Sequence, residues 1–291
     1  MNTRTLALLA ILIFAIENSF IAAIAKKGLL EIPPLSLVAL RFFIASLFIA
    51  PFFFDKKRRT PAHVKEITPI SLFAVINLIF FFLGVKYTSG NIAIVISSGV
   101  PLISAALLFL LFKERLPQRK IAGILIGFIG VLAIALMPLL EQRNLFSSGL
   151  VGNILLLFAA TSWALYLIYS KGLHYRYSAF AITSNFIFTS TLVMLPLFLW
   201  ELHSYPGWWN HVGGWGIFSV LYFAIALTLI GYTLNQYAIR HGGAVFASMT
   251  FYITPILGFY VNYLLLGEVL TFWFIIGSVL VLLGAYFVMR K

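Results

Sequence analysis

The sequence predicts an all-α integral membrane protein: ten transmembrane helices arranged as two inverted five-helix repeats, with N-terminus and C-terminus both cytoplasmic. Three observations predict it. Of 291 residues, 62% are hydrophobic and 10% charged, against roughly 45–50% and about 25% in soluble domains, and the mean hydropathy is +1.03. Folding in water hides only about three quarters of the surface of a chain this size, so lipid must be the solvent. The apolar residues fall into ten runs, each near the ~20 residues that cross a hydrocarbon core. Finally, the second half of the chain repeats features of the first at a fixed offset.

In order, the spans are expected at Thr5–Ala25, Pro34–Phe54, Ile67–Val85, Asn91–Phe112, Arg119–Leu140, Gly149–Ser170, Ser178–Trp200, Gly213–Ala238, Ala244–Leu266 and Leu270–Met289. The first follows Arg4 and ends in "AAIA", as a signal peptide would, but its polar centre, Glu17 and Asn18, is foreign to such a segment. The loops after spans two and four, "DKKRRTPAHVKE" and "KERLPQRK", hold most of the basic residues. Fifteen Lys and Arg lie on the side of the N-terminus and four on the other, which puts both termini in the cytoplasm. The net charge of +12 is therefore an orientation signal, with "DKKRR" suited to an anionic leaflet, and no nucleic-acid partner is expected. Between spans seven and eight, "WELHSYPGWWNHVGGWG" has Trp without Lys or Arg and suits an outer interfacial belt.

Spans four and nine carry Pro101 and Pro255 near mid-helix. A lost backbone hydrogen bond and a crowded preceding turn predict a kink facing the protein interior, so both are candidate hinges. Spans five and ten carry Gly123, Gly127, Gly277 and Gly284 for close helix packing, either within the chain or between protomers.

An offset of 154 superimposes Pro101 on Pro255, Glu114 on Glu268, Leu116 on Leu270, Gly123 on Gly277 and Gly130 on Gly284. An offset of 144 aligns "KGL" at Lys27 with "KGL" at Lys171. Two units follow, 1–143 and 144–291. Five spans each is an odd number, so the second unit enters the membrane from the opposite face, an inverted repeat with its site expected near midplane between the halves. This duplicated order, together with "PPLSLVALRFFIA" in span two, resembles the drug/metabolite transporter superfamily, EamA type. The resemblance implies a secondary carrier, usually an exporter of amino acids or other small metabolites, whose central cavity is lined by spans one, three, four, six, eight and nine. Where that family often has a Trp-Gly pair in span one, this chain has Ile16 and Glu17.

Glu17 is the only acidic residue expected deep in the membrane. It lies about 18 Å past Thr5, and Arg41 about 10 Å inward from Pro34 on the other side, at 1.5 Å per residue. Their depths match, and an ion pair between them is expected. Two roles are open: a permanent strut between spans one and two, or a coupling site at which Glu17 exchanges Arg41 for a proton or a substrate amine. The offset of 144 gives Thr161 and Asn185 as their uncharged counterparts.

Candidate substrate-binding residues are Glu17, Asn18, Asn77, Ser97, Trp163, Tyr166, Tyr232 and Tyr252, which together describe an aromatic cavity with few fixed charges. Amphiphilic solutes suit it, hydrophobic or aromatic amino acids above all. The expected function is export by alternating access. Alternatives are a channel-like permease, a lipid or drug exporter, and a membrane-embedded enzyme. The enzyme would need a nucleophile with a base or clustered metal ligands, and the chain has no Cys and five scattered His. No Walker-type loop occurs, and no cofactor or metal is expected. The expected partners are a small-molecule substrate, membrane lipids and protons, with the chain acting as a monomer in the inner (cytoplasmic) membrane.

Overall fold

The computed structural model describes residues 3–53, 61–113, 117–136, 148–247 and 250–289. Among them every regular element is helical: α1 (Thr3–Gly28), α2 (Pro34–Phe53), α3 (Pro61–Tyr87), α4 (Gly90–Ser98), α5 (Val100–Phe112), α6 (Gln118–Ala135), α7 (Ser148–Leu173), α8 (Ala179–Ser204), α9 (Gly214–Leu221), α10 (Tyr232–Ala247), α11 (Thr250–Leu266) and α12 (Phe272–Met289). A 3₁₀ turn covers Trp208–His211, and a π-helical stretch, Tyr222–Gly231, joins α9 to α10.

Seven helical runs are long and apolar enough to cross a membrane. They coincide with expected spans one to four and six to eight. The other expected spans correspond to α6, α11 and α12, with 18, 17 and 18 residues. The end of span five at Leu140 falls outside the described residues.

Two spans depart from simple helices. Span four is broken at Gly99, which ends α4 and begins α5. Pro101, at the second position of α5, cannot donate to the carbonyl four residues back, and the helix is interrupted there and restarts. Its repeat partner Pro255 stays inside α11, five residues past the described start. Span eight widens into the π segment, where the Thr228 hydroxyl donates to the Phe223 carbonyl five residues back at 2.6 Å.

The packing follows the repeat. α3 lies along α7, and their repeat partners, α9–π–α10 and α1, lie along each other; α1 packs on α11 as α7 packs on α4 and α5. α2 with α8 and α6 with α12 are self-matched pairs. The α6–α12 contact explains the glycines: a Cβ on Gly284 would sit 2.5 Å from the Gly127 Cα, and one on Gly130 would sit 2.7 Å from the Gly277 carbonyl. The glycine faces therefore meet each other within one chain.

Carboxylates from one unit cap helices of the other. Buried Glu201, near the end of α8, accepts from the Leu35 and Ser36 N–H groups of α2 at 3.3 and 2.5 Å. Glu268 accepts from the Gly90 and Asn91 N–H groups of α4 at 2.6 and 2.8 Å. Glu31 accepts from the Gly213 and Gly216 N–H groups at the start of α9 at 2.9 and 2.5 Å. Each supplies an acceptor and a negative charge to a helix N-terminus, where free N–H groups and the helix dipole both favour it. All three lie at the end of the bundle where α1 finishes and α2, α4 and α9 begin, and they clamp the two units together there.

Candidate functional site

A cavity of about 160 Å³ lies between the units, room for on the order of ten water molecules. One stripe of each surrounding helix reaches it: Phe14, Asn18 and Ile21 of α1, Asn77 and Phe81 of α3, Ser97 and Ser98 of α4, Trp163, Leu167 and Lys171 of α7, Tyr232, Asn235 and Ile239 of α10, and Thr250, Phe251 and Thr254 of α11. Spacings of three and four put these residues on single helix faces. These helices belong to the spans that the family resemblance implies.

Ser97, Ser98 and Val100, on either side of the break at Gly99, line the cavity together. Of the candidate residues, Asn18, Asn77, Ser97, Trp163 and Tyr232 are on the wall. Asn77 also donates to the Ala159 carbonyl of α7 at 2.8 Å, and Asn18 to the Phe14 carbonyl of its own helix at 3.0 Å. Tyr232 is at the centre of an aromatic cluster: its ring lies 5.3 Å from Phe186, 5.8 Å from Trp163 and 6.3 Å from Phe14.

Of the other three candidates, two stand elsewhere. Tyr166 is buried behind Trp163, its hydroxyl accepting from Gln236 Nε2 at 2.9 Å, so it supports the wall without lining it. The Tyr252 side chain lies outside the described residues. Glu17 is half-buried between α1 and the π segment, and Gly231 makes room for it: a Cβ there would come 2.5 Å from Glu17 Oε2. That oxygen has no hydrogen-bond partner, while the Glu17 backbone carbonyl accepts from the Tyr222 hydroxyl at 2.7 Å.

The expected Glu17–Arg41 ion pair does not form. Arg41 is completely buried and donates from Nε and Nη2 to Thr228 Oγ1 at 3.0 and 2.7 Å. The rings of Phe42, Phe223, Phe82 and Tyr232 surround it, with centres 5.0, 5.3, 5.9 and 5.9 Å from the guanidinium carbon. Both residues meet span eight, but at different positions, Arg41 at Thr228 and Glu17 at Gly231. The repeat counterparts follow suit. Asn185 on α8 accepts from Thr68 of α3 at 3.2 Å, an uncharged version of Arg41 on α2 meeting Thr228, and Thr161 bonds back to the Leu157 carbonyl of its own helix at 2.8 Å.

Lys171 and Phe14 on the wall, and the capping roles of Glu31, Glu201 and Glu268, were not among the sequence-based expectations. Their roles depend on placement beside other helices in the folded chain, which linear spacing does not contain.

With this geometry in hand, comparison with known proteins decides the family. The model of the EamA-like transporter family matches residues 5–136 and again residues 150–290. The chain belongs to this family. Members similar to it include an uncharacterized transporter of Archaeoglobus fulgidus, 28% identical over 267 residues, covering 91% of this chain and 92% of that protein. Another is a protein of Salmonella typhimurium named "Probable amino-acid metabolite efflux pump", 27% identical over 296 residues, covering 97% of this chain and 92% of that one. A solved crystal structure superposes with a TM-score of 0.65 over 98% of this chain and 97% of its own, at 20% identity, a likeness of fold alone. The EamA protein described here is thus a multi-pass membrane transporter whose two halves each match the family.

Proposed function

We propose that this EamA protein is a secondary transporter that exports small amphiphilic metabolites, hydrophobic or aromatic amino acids foremost, by alternating access at the central cavity. The observation that carries the reading is the cavity itself. It lies between two repeat units, is walled by Trp163, Tyr232, Phe14 and Phe81 with amide and hydroxyl groups among them, and is bridged at one end by three carboxylates. Aromatic walls with a few placed polar groups favour a solute with an apolar body and a polar head.

With the termini in the cytoplasm, the clamped end is the outer one, and the cavity reaches inward past Lys171 and Thr250. The units would then rock about the midplane, with the break at Gly99 and Pro255 as the points of bending. The relative named as an amino-acid metabolite efflux pump supports the same solute class. The test is counterflow of radiolabelled phenylalanine and leucine in proteoliposomes. Saturable exchange inhibited by unlabelled solute is the expected result; conductance that rises linearly without saturation would replace the carrier with a channel.

A further inference from the structure

Arg41 lies behind the cavity wall, 5.9 Å from the ring centre of Tyr232, which lines it. A buried guanidinium is costly unless charge and hydrogen bonds compensate it. Here Thr228 serves two of its nitrogens, aromatic faces contribute cation–π attraction, Nη1 has no acceptor, and among the described residues no carboxylate pairs with it. Its charge is not cancelled locally. Tyr232 touches both sides: its ring lies against Arg41 and its surface lines the cavity.

The second cation is Lys171, exposed and lining the mouth. Among the described residues no carboxylate lines the cavity, since Glu17 is turned to Gly231. Two cations, Arg41 behind the wall and Lys171 at the entrance, stand against one carboxylate behind the wall, Glu17 beside Phe14 and Gly231, so the low-dielectric chamber carries a net positive surround at its Tyr232 side.

We propose that the site recognises a carboxylate: the solute's acid group docks at Tyr232 and Asn235 within the field of Arg41, its apolar body lies on Trp163 and Phe14, and Lys171 draws it to the mouth. This rests on the transport reading above and narrows it. The carboxylate is required, the amine is dispensable, and organic cations of the same shape are refused.

Four probes of like size test it in proteoliposomes of the full chain: 3-phenylpropionate, phenylalanine, 3-phenylpropionamide and phenethylamine. The first two are expected to exchange saturably, and the last two to compete at least about tenfold less well, the discrimination a unit charge gives across a low-dielectric site. Arg41→Gln should bring the preference for 3-phenylpropionate over its amide close to one. Lys171→Gln, at an exposed position where folding is not at stake, should weaken the anion's half-saturation and its salt dependence while leaving the amide unmoved. Amide or amine carried as well as the acid by the native protein overturns the inference and leaves the transport reading intact. So does a Lys171→Gln protein with unaltered anion selectivity. Saturable exchange of none of the four would instead overturn the transport reading, and this inference with it.

Discussion

Glu201 offers the sharpest test of how the two units hold together. It is 3% exposed and accepts from Ser36 at 2.5 Å and from Leu35 at 3.3 Å, so the short bond carries most of the interaction. A hydrogen bond to a charged group is worth about 1.5–3 kcal/mol, and a carboxylate at a partly buried helix N-terminus up to about 2 kcal/mol. These overlap, because the same charge supplies both. For Glu201→Ala we expect a loss of about 3 kcal/mol from the clamped arrangement, and for Glu201→Gln, which keeps one acceptor, about half of that. If opening the clamped end separates α8 from α2, the loss appears as a shift of population, on the order of a hundredfold for the alanine variant. The chain has no cysteine, so Ser98→Cys on the cavity wall gives a single clean reporter. Labelling by an impermeant maleimide added on the side of the clamped end should accelerate in Glu201→Ala, while Glu66→Gln, which removes an exposed pair with Arg176 at 3.3 Å, should change nothing. A labelling rate from that side that stays at the native value while the melting temperature falls would show that the cap only supports folding, and would refute the reasoning.

Gly284→Ala places a methyl group 2.5 Å from the backbone of Gly127, and backbone cannot yield as a side chain does, so a loss of about 3 kcal/mol is expected; Gly172→Ala, with nothing within 4 Å, is the control and should be neutral or slightly stabilising in the same thermal unfolding assay. Trp163→Ala removes the largest flat surface of the cavity wall and should raise the half-saturation for an aromatic solute about tenfold, as read by counterflow. His174, just past α7, is held below the usual imidazole range by burial, which outweighs the opposing influence of Gln236, and the Arg240 charge adds to the lowering. Folding therefore favours its neutral form: this contribution is complete above the unfolded pKa, about 6.5, and is lost as pH falls through the lower folded value. Against His174→Asn, the native protein should lose relative stability as pH is lowered from 7 to 5, and parallel curves would remove His174 from the acid response.

Much of the fold was legible because lipid imposes it. An apolar run of about 20 residues has few ways to satisfy its backbone other than as a helix, and seven of the expected spans stand where hydropathy puts them. The duplicated glycines and prolines revealed two related units, each of which matches the family separately. At the candidate site, residue type went part of the way: of eight polar or aromatic candidates, Asn18, Asn77, Ser97, Trp163 and Tyr232 line the cavity, while Glu17 and Tyr166 stand off it.

The sequence by itself determined position and kind: where each side chain falls along its span, and which spans carry Glu17 and Arg41. Only the tertiary structure decided direction, because the angle at which a helix faces its neighbours is set by packing with residues more than a hundred positions away. Thus Arg41 meets Thr228 and not Glu17, the π turn and Gly231 make a place for a carboxylate outside the cavity wall, and Glu31, Glu201 and Glu268 become caps on helices of the opposite unit. A helix N-terminus needs an acceptor wherever one can reach it, and reach is a property of the folded chain.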